Sequence, residues 1–171
     1  MNNNKTRILV EGGIMIALAY VLSMIKVYEM PNGGSVTAVS MLPILIFATR
    51  WGAKPGIFVA GTYGLLQLLL GPKFSAHPAS IILDYILGFG VLGLAGIFGK
   101  DYIKSLSGGI LTMFARFSFS VISGIVAYNV DFVGSLIYNA TYMVPEMVLT
   151  VIAYSLVFKP LQKINASIAN R

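Results

Sequence analysis

The chain has 171 residues, 57% of them hydrophobic and 11% charged, with a formal net charge of +6 and no cysteine. Soluble domains carry about one quarter charged residues, so this chain cannot clothe a water-facing surface, and the bilayer is its expected solvent. Disulfide and thiol chemistry are excluded, and the basic excess sits in short gaps between apolar runs, where it marks topology rather than a nucleic-acid surface.

Six apolar runs follow one another, at about 8–25, 37–49, 56–71, 79–98, 108–128 and 133–158. They lack the alternation of barrel strands. The expected fold is an all-α membrane protein of six transmembrane helices, a single integral domain over 1–171. A span needs roughly 20 residues, which the first, fourth, fifth and sixth runs supply alone. The first run continues past a normal signal-peptide core and no small-residue cleavage site ends it. It carries small residues at fourfold spacing, Gly13 with Ala17 and Ala19 with Ser23. Such spacing lets helices approach closely, either onto a partner or within the bundle. The next loop, "KVYEMPNGGSV", is the longest and carries Pro31, Gly33 and Gly34. It is either a mobile lid or an ordinary connection. The second and third runs are short; the second contains Pro43, and "TRWGAKPG", residues 49–56, joins them as a turn.

The fourth run holds Ser80, Asp84 and Gly88 at i, i+4 and i+8. Asp84 lies about 9 Å below the outer surface at 1.5 Å per helical residue. No basic residue shares its depth, although Lys73 and His77 lie in the loop above. An unpaired carboxylate in hydrocarbon protonates or recruits a cation, so a ligand site is expected here. On the fifth run Ser120 and Gly124 lie at roughly 12 and 6 Å, in the same outer layer. Tyr128 ends that run, as a site residue or an interfacial anchor. On the sixth, Asn139, Tyr142 and Glu146 recur at i, i+3 and i+7 on one face, with Tyr138 adjacent and Ser135 extending the stripe outward. A polar stripe inside a membrane points at protein or cavity. Glu146 and Arg116 both fall near mid-depth, where an internal ion pair is the expected use of each if their helices touch.

Six spans place both termini on one side. That side holds nine of the twelve Lys and Arg residues; the opposite loops hold Lys26 and Lys73, and Arg116 is inside a span. The asymmetry predicts cytoplasmic termini. One histidine, no cysteine, and no HExxH, phosphate-loop or nucleotide fingerprint argue against an enzyme, a metal centre or a resident cofactor. A binding subunit, a small transporter or one component of a complex remains.

The segments "PNGGSVTAVSMLPI", "RWGAKPGIFVAGTYGLLQLLLGPKFSAHP", "LDYILGFGVLGLAGIF" and "SLIYNATYMVPE" together resemble the thiamine-specific S component of energy-coupling factor transporters, over about residues 8–160. The resemblance implies a six-helix protein of the bacterial cell membrane that captures vitamin from outside. It would work with a transmembrane coupling protein and two cytoplasmic ATPases, and hydrolyse nothing itself. The family's carboxylate–Tyr pair matches Asp84 and Tyr85; its Gly and aromatic match Gly124 and Tyr128; its Asn matches Asn139, beside Tyr138. Ser120 stands where a His is common, and Gly134 where a Tyr is common. Ser120 and Tyr142 are the candidates to replace the missing hydrogen bonds. Thiamine suits such a site: Asp84 offsets its permanent thiazolium charge, Tyr85 and Tyr128 face its rings, and Asn139 matches an aminopyrimidine edge. On the first helix the resemblance assigns Gly13, Ala17, Ala19 and Ser23 to the coupling protein. The alternatives are a thiamine precursor or analogue such as a hydroxymethylpyrimidine, a stand-alone secondary transporter, or a structural scaffold.

Overall fold

The structure, a computed structural model, describes residues 3–31, 33–71 and 76–169. Helix α1 spans Asn3–Met24. An antiparallel hairpin follows, β1 at Lys26–Glu29 and β2 at Ser35–Thr37. Then come α2 at Leu42–Trp51, α3 at Ala53–Leu70, α4 at Pro78–Ile97, α5 at Tyr102–Tyr128 and α6 at Phe132–Ala169. The expected six helices are present, and all except α2 are long and apolar enough to cross a membrane.

The second apolar run departs most from expectation. Its helix has ten residues, about 15 Å, half of a hydrocarbon core roughly 30 Å thick. Residues 37–41 are not helical. They leave β2 through a turn in which Val39 has φ 57°. The helix opens at Leu42 with Pro43 in its first turn, where the missing N–H costs nothing. Non-helical backbone at membrane depth persists only when buried in protein or lining a cavity. Here Thr37, Ser40 and Met41 are all buried and line one. The expected turn at 49–56 shrinks to a single break at Gly52, whose φ of 92° favours glycine.

Helix α4 is not uniform. It begins α-helical at Pro78–Ser80, widens to i→i+5 bonding over Ile81–Leu87, and tightens to i→i+3 bonding over Val91–Ile97. The tight segment crosses α3 with backbone against backbone: a Cβ on Gly56 would stand 2.7 Å from the Gly93 carbonyl oxygen. Phe47, Ile44, Leu45, Tyr63, Leu92 and Met113 fill the centre between α2, α3, α4 and α5. Leu9, Phe58, Leu69, Ile103 and Leu156 are more than half exposed on the outer faces, the surface that hydrocarbon covers.

The small residues of α1 divide. Gly13 and Ala17 are exposed, with open space around Gly13. Ala19 is fully buried in the core, and Ser23 lines the cavity, its hydroxyl donating to the Tyr20 carbonyl at 2.7 Å. Of the two uses expected for such spacing, Ala19 and Ser23 are placed within the bundle, and Gly13 and Ala17 on the outer face. The reason is rotational: positions 17 and 19 lie about 200° apart around a helix, so the two pairs cannot share a face.

Candidate functional site: a roofed polar cavity

A cavity of about 610 Å³ opens between α3, α4, α5 and α6 beneath the hairpin. That size suits a small organic molecule. All eight residues expected at a ligand site line it: Asp84, Tyr85, Ser120, Gly124, Tyr128, Tyr138, Asn139 and Tyr142.

Asp84 sits in the widened part of α4, which aims its carboxylate at α5 rather than at lipid. Oδ2 accepts from the Ser80 hydroxyl at 2.8 Å and from the Ser123 hydroxyl at 2.5 Å. Ion pairs among the described residues are Lys26–Glu29, Arg50–Glu11 and Lys104–Asp101. Asp84 thus has two neutral donors and, among the described residues, no ion pair. Widened helical turns recur at functional sites, and this one carries both Asp84 and Tyr85. His77, expected as a loop residue, caps α4 by accepting the Ala79 amide on Nδ1 at 3.2 Å. Lys73, the other basic group proposed above Asp84, lies outside the described residues.

Asn139 lines the cavity and also bonds within the protein. Its Nδ2 donates to the Ser135 carbonyl at 2.9 Å and the Ser120 carbonyl at 3.3 Å, and its Oδ1 accepts from the Tyr142 hydroxyl at 2.7 Å. Its amide ties α5 to α6 and orients Tyr142. Gly124 serves the same junction, since a Cβ there would overlap the Ser135 hydroxyl. Tyr128 is 40% exposed and forms part of the rim.

The hairpin is fastened to α6 at three levels, all on one face at i, i+4 and i+8. The Tyr138 hydroxyl donates to the Gly33 carbonyl at 2.5 Å. The Tyr142 ring lies under Gly34, whose φ is 82° and whose absent Cβ would stand 2.6 Å from Cε1. The two rings meet edge to face, centroids 6.1 Å apart. Deepest, the Glu146 carboxylate accepts the Thr37 amide at 2.5 Å and the Thr37 hydroxyl at 2.6 Å. The longest loop is therefore a cavity roof.

The expected pairing of Arg116 with Glu146 does not form. Glu146 is taken by Thr37, and the Arg116 guanidinium lies 3.6 Å over the centre of the Phe89 ring. Its Nη1 is buried without a hydrogen-bond partner. Both residues line the cavity. Sequence reasoning missed Ser123, Thr37 and the roof contacts. Ser123 was one residue from a glycine already singled out, at i+3 from Ser120, and that spacing was the available signal. Nothing in the sequence pairs Thr37 with a residue 109 positions away.

The model of the family described as "Thiamine transporter protein (Thia_YuaJ)" matches residues 9–166. The thiamine transporter ThiT of Bacillus subtilis strain 168 is 34% identical over 181 residues, covering 92% of this chain and 94% of that protein. ThiT of Lacticaseibacillus paracasei is 24% identical over 144 residues, covering 79% and 69%. In fold, the chain is similar to a solved structure of ThiT from Listeria monocytogenes, with a TM-score of 0.77, 24% identity, and coverage of 94% of this chain and 97% of that one.

Proposed function

This chain belongs to the thiamine transporter protein family, and from that premise we propose that it captures thiamine from outside the cell in the roofed cavity and delivers it inward as the substrate-binding subunit of an energy-coupled importer. It is a multi-pass membrane protein of a bacterial type, and its relatives are named transporters, not enzymes. One observation carries the assignment of the site: Asp84 presents a carboxylate to a roofed cavity with two hydroxyl donors and, among the described residues, no ion pair. A carboxylate held that way has unspent charge. A thiazolium, positive at every pH, fills the deficit. At about 4 Å and an effective dielectric near 20 the attraction is about 4 kcal/mol before desolvation is subtracted.

Tyr85 and Tyr128 supply aromatic faces for the two rings, and Tyr142, freed from Asn139, supplies a hydroxyl to the pyrimidine edge. The whole chain acts as one integral domain with both termini in the cytoplasm, supported by the nine-to-two basic asymmetry. Uptake uses a transmembrane coupling protein and two ATPases. The exposed Gly13 and Ala17 leave α1 a face open to close helix contact.

Mass spectrometry of the small molecule retained through mild purification, followed by calorimetry with thiamine and with a neutral hydroxymethylpyrimidine, tests the reading. Thiamine retained and bound more tightly is the expected result. Equal binding of the neutral pyrimidine removes the charge argument and makes a precursor the cargo. Thiamine flux into vesicles holding this chain alone, without ATPases, points instead to a stand-alone transporter.

A further inference from the structure

One charged cluster lies far from the cavity, at the end of the molecule away from the roof, where α1 begins, α2 ends and α3 begins. Trp51, the chain's single tryptophan, closes α2. Two guanidinium groups converge on its ring: Arg50 at 5.6 Å from the ring centre and Arg7 of α1 at 5.9 Å. Both are within the range over which an indole attracts a cation. Like charges gathered on one ring repel, so the arrangement favours a compensating anion. Glu11 supplies one, and it goes to Arg50, with Oε1 3.1 Å from Nη1. Arg7 is exposed and enters none of the ion pairs found among the described residues. The cluster therefore keeps a positive charge unmatched. Below Arg7 the surface turns apolar. Arg7, Val10 and Ile14 recur at i, i+3 and i+7 on one face of α1, and Val10 and Ile14 are 58% and 61% exposed.

We infer that Arg7, Arg50 and Trp51 form a binding site for the phosphate of an anionic phospholipid, whose acyl chain runs along Val10 and Ile14. A guanidinium meets phosphate oxygens with parallel, charge-assisted N–H donors. Indole rings collect at the headgroup depth of a bilayer, and basic pockets between helices there hold anionic headgroups. The track of exposed apolar residues beneath the charge is what selects a lipid: an acidic protein segment or a soluble phosphate would match the arginines and leave that track unused. A zwitterionic lipid brings its own cation to the cluster and gains less. Under the proposed topology the lipid belongs to the cytoplasmic leaflet. The site itself depends neither on that orientation nor on the identity of the cargo.

The test titrates the purified full chain with phosphatidylglycerol and with phosphatidylcholine of equal chain length, and reads lipid Kd values by native mass spectrometry. Wild-type protein is expected to hold one phosphatidylglycerol about tenfold more tightly than phosphatidylcholine, the scale of two basic groups at an anionic headgroup. Arg7→Gln should bring that ratio toward one, and Glu11→Gln, which releases Arg50, should raise it. Lys54→Gln, a change at an exposed basic residue of the same end, should leave it unaltered. Melting curves in phosphatidylcholine confirm that each variant is folded. Equal affinity of the two lipids for wild-type protein overturns the site and leaves the charge to an acidic protein partner. Equal losses in Arg7→Gln and Lys54→Gln overturn it as well, because the basic end would then attract anions without a defined seat. Glycerol phosphate displacing the lipid at matched concentration also overturns it, in favour of a soluble phosphate.

Discussion

Two acids that line the cavity are solvated in opposite ways. Asp84 receives two side-chain hydroxyls, from Ser80 on its own helix and Ser123 on the next. Glu146 receives a backbone N–H and a hydroxyl from a segment that is not helical at all. Hydroxyl rotors can turn away when a better partner arrives; a backbone amide cannot. A carboxylate bonded to hydroxyls therefore keeps its charge available, whereas one bonded to main chain is committed to holding that main chain. Within the membrane this distinction separates a ligand acid from an anchoring acid more sharply than depth or burial does.

Substituting each acid breaks the comparison cleanly if it is sound. Asp84→Asn keeps shape and one acceptor for the serines while removing the charge. Thiamine affinity is expected to fall well over tenfold, more than about 1.4 kcal/mol. The thermal midpoint of the empty protein should change little, since the serine hydroxyls keep an acceptor and no ion pair is broken. Calorimetry and a melting curve on the same sample read both effects; unchanged affinity would end the charge role of Asp84.

Glu146→Ala should show the reverse weighting. It leaves the Thr37 amide and hydroxyl without their acceptor in a buried setting, a loss of about 1–3 kcal/mol of stability. The roof should loosen at its inner hinge, seen as faster amide exchange at residues 35–41 and a lower melting temperature. Affinity should suffer less than in Asp84→Asn. A Glu146→Ala protein that melts like wild type would show that Thr37 finds another acceptor and that the anchoring role is wrong.

The same contrast explains what could be read from the chain before its fold was known. Asp84 was legible because a lone acid in an apolar run is costly wherever the chain goes, and Asn139 and Tyr142 because helical spacing places them on one stripe. Membrane helices α1, α4, α5 and α6 were legible because length and hydropathy alone decide them; the third run read as short, and its helix begins three residues earlier, at Ala53. The role of Glu146 was not, because its partner is a backbone amide, and every non-proline residue has one. An arginine was the obvious candidate, but Arg116 had a ring to lie on. The missing turns of α2 were hidden for a related reason. Residues 37–41 are mostly apolar or small, and only a partner on α6 makes their non-helical path tolerable. The widened turn at Ile81–Leu87 likewise leaves no mark in a run of aliphatic residues.

The smallest expected effect sharpens the roof side of the comparison. Tyr138→Phe removes one hydroxyl, the donor to the Gly33 carbonyl, and leaves the edge-to-face contact with Tyr142 in place. Because Tyr142 still lies under Gly34 and Glu146 still holds Thr37, the hairpin keeps two of its three fastenings. A net hydrogen bond of this kind contributes about 0.5–1.5 kcal/mol, so the closed-to-open ratio of the roof should fall by roughly two- to thirteenfold. If closure follows capture, the loss falls on release: thiamine should dissociate a few times faster in stopped-flow measurements, with association little changed. Slower association with unchanged release would place Gly33 and Tyr138 on the path inward, and the roof would then be a guide for the ligand more than a clasp upon it.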